Sequence, residues 1–167
     1  MNKKIILVSL VIVIVIVSGF GFYFWEKKNQ LEETAVKSLV INFGHALKNV
    51  SLLSPTASQD IEENYKDYVA PDLIAQWKAD PSKALGRLTS SPWPDSIELT
   101  GITKIDQDIY EIFGKIIDMT STGMAGSRPI DFNVTKISTG NFDNRWLITK
   151  VSIITNQENE LWKNYNN

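Results

Sequence analysis

Residues 5–25 run for 21 positions without a charged side chain, from Ile5 to Trp25, with Ser9 and Ser18 as the clearly polar interruptions. A helix rising about 1.5 Å per residue would carry such a run across roughly 30 Å, the thickness of a bilayer's hydrocarbon core. The run is rich in Ile and Val, which form helices poorly in water. In lipid every backbone N–H and C=O must bond within the segment, so a single span there has to be helical. Phe20, Phe22, Tyr23, Phe24 and Trp25 gather where such a helix would meet the headgroups. Ile5, Tyr23 and Trp25 therefore mark the expected anchor, and the lipid bilayer is the first expected partner.

Lys3, Lys4 and the α-amine precede the run, while Lys27 and Lys28 follow it. A short, positively charged N-terminal flank favours a cytoplasmic N-terminus and an extracytoplasmic domain at the cell membrane. The competing reading is a signal peptide cleaved near Val17-Ser18-Gly19. The apolar run continues past the usual core of such a signal, which favours an uncleaved anchor. Both readings put the rest of the chain outside the cytoplasm.

The sequence thus divides into a tail and anchor (residues 1–25), a short polar joint (26–30), one domain (31–155) and a polar tail (156–167). Two of the chain's 17 basic residues, Lys3 and Lys4, precede the run. Residues 26–167 therefore carry 15 Lys/Arg against 19 Asp/Glu, a net charge of −4. The charges are interspersed and form no basic stripe, which argues against a nucleic-acid partner. The absence of cysteine excludes disulfides, cysteine-ligated zinc and a thiol nucleophile.

Val36, Leu39, Val40, Phe43, Leu47, Val50 and Leu53 recur at steps of three and four. This spacing predicts an amphipathic helix that Ser54-Pro55 stops. Thr56-Ala57-Ser58-Gln59 has the form of a capping box, opening a second helix with Ile61, Tyr65, Tyr68 and Val69 on one face. Pro71 opens a third, with Leu73, Ile74 and Trp77, ending before Pro81. Residues 81–95 are expected to be irregular.

The apolar period then drops from 3.6 to 2. Strands are expected over residues 96–105, 108–120, 128–138 and 144–155. Asp106-Gln107 and Thr139-Gly140-Asn141 are expected turns, and residues 121–127 a flexible loop. The fold class is α+β, with about three helices packed on a curved antiparallel sheet of four or more strands. Alternation puts Tyr110, Ile112, Gly114 and Ile116 on the core face of one strand, with Ile130, Phe132 and Val134 on that of the next. Gly114, in mid-strand, implies a bend.

Three stretches carry a family resemblance: residues 110–120, residues 128–134, and Arg145-Trp146-Leu147-Ile148-Thr149-Lys150-Val151. Set behind three helices, they resemble the strand pattern of the nuclear transport factor 2-like superfold, in the style of membrane-anchored or secreted members from Gram-positive bacteria. The resemblance implies that helices and curved sheet together make a cone. That superfold includes enzymes, ligand-binding proteins and scaffolds, so it implies no single activity. Type IV secretion and conjugation machines also use membrane-anchored extracytoplasmic domains of this class.

No nucleophile motif, phosphate-binding loop or metal-ligand spacing is present, and no cofactor is implied. The sole histidine, His45, has Ile41 and Asn49 at helical spacing rather than a carboxylate. It is a general base if it points into the cone and a surface residue otherwise. Asp118 shares the core-face parity of Ile112 and Ile116. It is either a pocket acid or a strand-end residue paired with Arg128 across the hairpin. Tyr65, Tyr68, Trp77 and Tyr110 either line a pocket opening or pack in the core. Trp93, between Pro92 and Pro94, is either a partner contact or a cover over the sheet edge.

Three roles follow. The first is a protein-interaction or scaffold module of the cell envelope, binding a protein partner or a second copy. The second is a binder of a small hydrophobic ligand in the cone. The third is an enzyme using Asp118 or His45 as acid or base.

Overall fold

The computed structural model describes residues 3–138 and 144–154, with residues 3–22 described by their backbone alone. It divides into two compact units, one up to Ala35 and one from Val36.

In the first unit the chain is helical: helix α1 is Lys3–Ala46, and it includes residues 26–30. Tyr23 and Trp25 are 59% and 62% exposed. The Thr34 hydroxyl donates back to the Gln30 carbonyl at 2.8 Å. Among the described residues no helix is long and apolar enough to cross a membrane. Most of the expected span, Ile5 included, falls in residues 5–22, whose side chains lie outside the described set.

The second unit is α+β, with three helices and a four-stranded antiparallel sheet in the order β1-β2-β3-β4. The last turns of α1 bury Val36, Val40 and Phe43 completely, as their spacing predicts. The helix stops at Ala46, however, and tightens into a 3-10 turn, Leu47–Asn49. Beyond it the backbone bonds sideways: Arg87 N–H donates to the Val50 carbonyl at 2.8 Å, and Leu52 N–H to the Arg87 carbonyl at 2.9 Å. That lateral pairing replaces the helix expected to continue to Ser54, and it leaves Leu53 75% exposed.

Helix α2 is Ala57–Tyr65. The capping box does not form. The Thr56 hydroxyl bonds Ser54 Oγ and donates to Asp60 Oδ2, while Gln59 donates to Glu63. Helix α3, Pro71–Ala79, begins at its proline as expected. Between α2 and α3, Ile148 N–H donates to the Tyr68 carbonyl and Ala70 N–H to the Ile148 carbonyl, at 2.8 and 2.9 Å. This short bridge covers part of the outer edge of β4.

The strands are β1, Trp93–Asp106; β2, Ile109–Thr120; β3, Gly123–Ile137; and β4, Arg145–Ile153. The β1–β2 turn is Gln107-Asp108, one residue later than expected. The expected loop 121–127 is mostly strand: Ser121-Thr122 turn the chain, and Gly123 and Met124 pair at once with Thr120 and Met119. Gly123 makes this possible at φ 135°, where side-chain-bearing residues are strained. The expected turn at residues 139–141 lies outside the described residues.

Register shifts at Leu99/Gly101, Asp118/Met119 and Asn133/Val134 are β-bulges, which bend and twist the strands that carry them. Tyr110, Ile112, Gly114 and Ile116 all lie on the buried face, as do Ile130, Phe132 and Val134. Gly114 is needed there: a Cβ at that position would sit 2.8 Å from the Glu98 carbonyl oxygen.

Candidate functional site

Three of the expected pocket aromatics converge on Phe43. Its ring lies 5.0 Å from that of Tyr65, edge to face, 6.3 Å from that of Trp77, stacked, and 6.3 Å from that of Tyr68. Phe132 of β3 closes the cluster at 6.3 Å. Edge-to-face and offset pairs of this kind gain energy beyond the area they bury. The Tyr65 hydroxyl donates to the Leu85 carbonyl at 2.6 Å, which satisfies its one donor inside the core. Burial pushes the Tyr65 phenol far above the ordinary tyrosine range, so it stays protonated. These rings occupy the space between helices and sheet.

Tyr110 stands apart from that cluster. It is buried on β2, edge to face with Trp146 at 5.2 Å, with the Lys104 ammonium 5.3 Å from its ring centre. His45 is exposed on the last turn of α1.

Asp118 sits at the far end of β2 and is bound side-on by Arg128. Arg128 Nε donates to Oδ2 at 2.7 Å and one terminal nitrogen to Oδ1 at 3.0 Å. The pairing follows from register: Asp118 and Arg128 lie on neighbouring strands, two residues out of direct opposition, with Asp118 opposite Gly126 and Arg128 opposite Ile116. The Asp118 side chain is 14% exposed and that of Arg128 41%. The pair lines a groove of about 370 Å3 with Gly86, Leu88, Thr89, Pro92 and Pro94. The Thr89 hydroxyl is already directed at the Pro92 carbonyl, 3.0 Å away. This groove offers an apolar wall beside a neutralised ion pair, a surface suited to recognition. Both carboxylate oxygens are engaged by the guanidinium.

A second groove, about 420 Å3, opens between α2 and α3, lined by Glu62, Lys66, Val69, Pro71, Ile74, Ala75 and Lys78. Lys78 and Glu62 form an ion pair on its rim. Among the described residues no three His, Cys, Asp or Glu side chains are grouped to hold a metal ion.

The structure therefore gathers Tyr65, Tyr68 and Trp77, and leaves Tyr110, Asp118 and His45 in three other places. Sequence reasoning missed Leu88, Thr89, Pro92 and Pro94 as partners of Asp118. The signal was the Pro-Trp-Pro punctuation, which marks rigid backbone opposite the end of β2: Trp93 pairs with Met119 and Pro94 with Asp118. No protein-family model matches the chain, and no curated protein matches it closely enough to count as a relative.

Proposed function

We propose that this chain is a single-pass membrane protein whose domain, residues 31–155, is a protein-interaction or scaffold module on the extracytoplasmic face of the cell envelope, built as a nuclear transport factor 2-like cone. One observation carries the reading: 21 consecutive uncharged residues with two lysines before them and an aromatic cluster at their end. Such a segment is far more favourable in lipid than in water. Three helices set against a bulged antiparallel sheet support the cone.

Interaction is favoured over catalysis by where the polar groups are. His45 faces solvent, the oxygens of Asp118 are held by Arg128, and the Tyr65 hydroxyl is spent on the Leu85 carbonyl. A small ligand inside the cone would compete with Phe43, Tyr65, Trp77 and Phe132 for the same volume. The Asp118–Arg128 groove is the surface we assign to a protein partner, because it sets exposed apolar groups beside a fixed charge pair.

Sidedness tests the proposal. Protease added to intact cells is expected to digest the domain and to spare an epitope placed before Lys3. Digestion of the domain only after permeabilisation would reverse the orientation and remove the envelope role.

A further inference from the structure

The groove beside Asp118 and Arg128 has more bonding capacity than its own residues use. A guanidinium carries five N–H groups. The side-on contact with Asp118 uses two of them, one on Nε and one on Nη2, and leaves three. Among the described residues the Arg128 guanidinium makes no other bond. The three that remain include the end-on fork between its two terminal nitrogens. Thr89 offers the complement. Its one hydroxyl hydrogen goes to the Pro92 carbonyl, 3.0 Å away, so its oxygen can otherwise only accept. Leu88, 57% exposed, and Pro92 supply an apolar wall beside these groups.

We propose that this groove binds a short extended stretch of a partner's uncharged backbone, and that Asp118 sets that preference. The inference rests on the assignment of the groove to a protein partner, and it names what that partner presents. A peptide unit carries one C=O acceptor and one N–H donor, the complements of the Arg128 fork and the Thr89 oxygen. Leu88 and Pro92 then take the apolar side chain next to that unit. Charge decides against an acidic partner. Arg128 alone would draw a carboxylate into its fork. Asp118 already holds the guanidinium at two points, so the pair is neutral as a whole. A second carboxylate would be brought up to the first with no cation of its own. A peptide carbonyl meets the same N–H groups without that repulsion. The groove, about 370 Å3, is also small for a helix, which with its side chains is about 10–12 Å wide.

Binding of two small probes to the full chain in detergent micelles tests this, read from the NMR signals of the Leu88 methyls and the Arg128 Nε–H. N-acetyl-leucine N-methylamide presents two neutral peptide units. N-acetyl-leucine ends in a carboxylate and is otherwise alike. The methylamide is expected to shift both signals, to bind at least as tightly as the carboxylate, and to change little in affinity as salt rises. Leu88→Ser and Arg128→Lys should each weaken it about threefold or more. In Asp118→Asn the order should reverse, with the carboxylate favoured about threefold or more at low salt and less as salt rises. Were that variant to lose its fold, the order in the unchanged chain would decide alone. A carboxylate preferred by the unchanged chain, or an order that Asp118→Asn leaves as it was, would overturn the inference and leave the groove a protein surface. No shift of either signal with either probe would overturn both the inference and the assignment of the groove, while the anchor is decided separately by sidedness. Shifts that grow with protein concentration in the absence of probe would also overturn it, giving the groove to a second copy.

Discussion

Gly44 of α1 lies directly against the backbone of Ile97 in β1: a methyl carbon on Gly44 would stand 2.6 Å from the Ile97 nitrogen and 2.9 Å from its Cβ. The helix can approach the strand this closely because position 44 has no side chain. Gly44→Ala gains about 1 kcal/mol of helix propensity. It also forces helix and strand apart, because the obstruction is backbone and cannot rotate away. Overpacking of this kind costs about 1–3 kcal/mol. We expect the loss to win, lowering the urea midpoint with little change in slope. A raised midpoint would mean that the crossing is looser than its geometry implies.

Phe43 touches four other rings, so its removal should be among the most damaging single changes in the core. Phe43→Ala is expected to cost about 3–5 kcal/mol, and Phe43→Leu clearly less, because Leu leaves a smaller cavity. Equilibrium unfolding of both variants checks the order.

Tyr65 makes stability sensitive to alkali. Its ordinary value is 10.0, and burial raises it well beyond that in the folded chain. Below pH 10.0 the phenol is protonated in both states and stability is unaffected by its titration. Above that, the unfolded chain loses a proton that the folded chain keeps, and stability falls by about 1.4 kcal/mol per pH unit. Tyr65→Phe should remove this slope. It should also cost about 1–3 kcal/mol near neutral pH, because the Leu85 carbonyl loses its donor. An alkaline slope unchanged in the variant would contradict this.

Asp118 and Arg128 should be energetically coupled. Their two-point contact is geometrically good but open to solvent on the Arg128 side, which screens it. A double-mutant cycle with Asp118→Asn and Arg128→Gln is expected to give a coupling of about 1 kcal/mol, decreasing as salt is raised. A coupling of zero at low salt would mean that the pair does not hold this end of the sheet.

The sequence carried the core of this fold well and its joints poorly. Alternation along residues 110–116 and 130–134 identified the buried face because a one-residue slip would have exposed every apolar side chain on it. Helix spacing found Val36, Val40 and Phe43 for the same reason. Leu53 kept the helical spacing but fell outside the helix, because Val50 and Leu52 bond to Arg87, 35 or more residues further on. Residues 121–127 looked like a loop from their glycines. Their strand depends on residues 117–120 of β2 as bonding partners, which local composition does not reveal. The candidate site was less legible still. Asp118 and its possible mate Arg128 were visible from parity, but the wall formed by residues 86–94 arrives through chain geometry alone.

The membrane anchor is the claim on which the functional account rests, and alkaline carbonate extraction of cell membranes tests it most directly. The full-length chain, N-terminus intact, is predicted to stay with the pelleted membranes through the wash and to be released by detergent. Recovery of the intact chain in the supernatant without detergent would contradict the account.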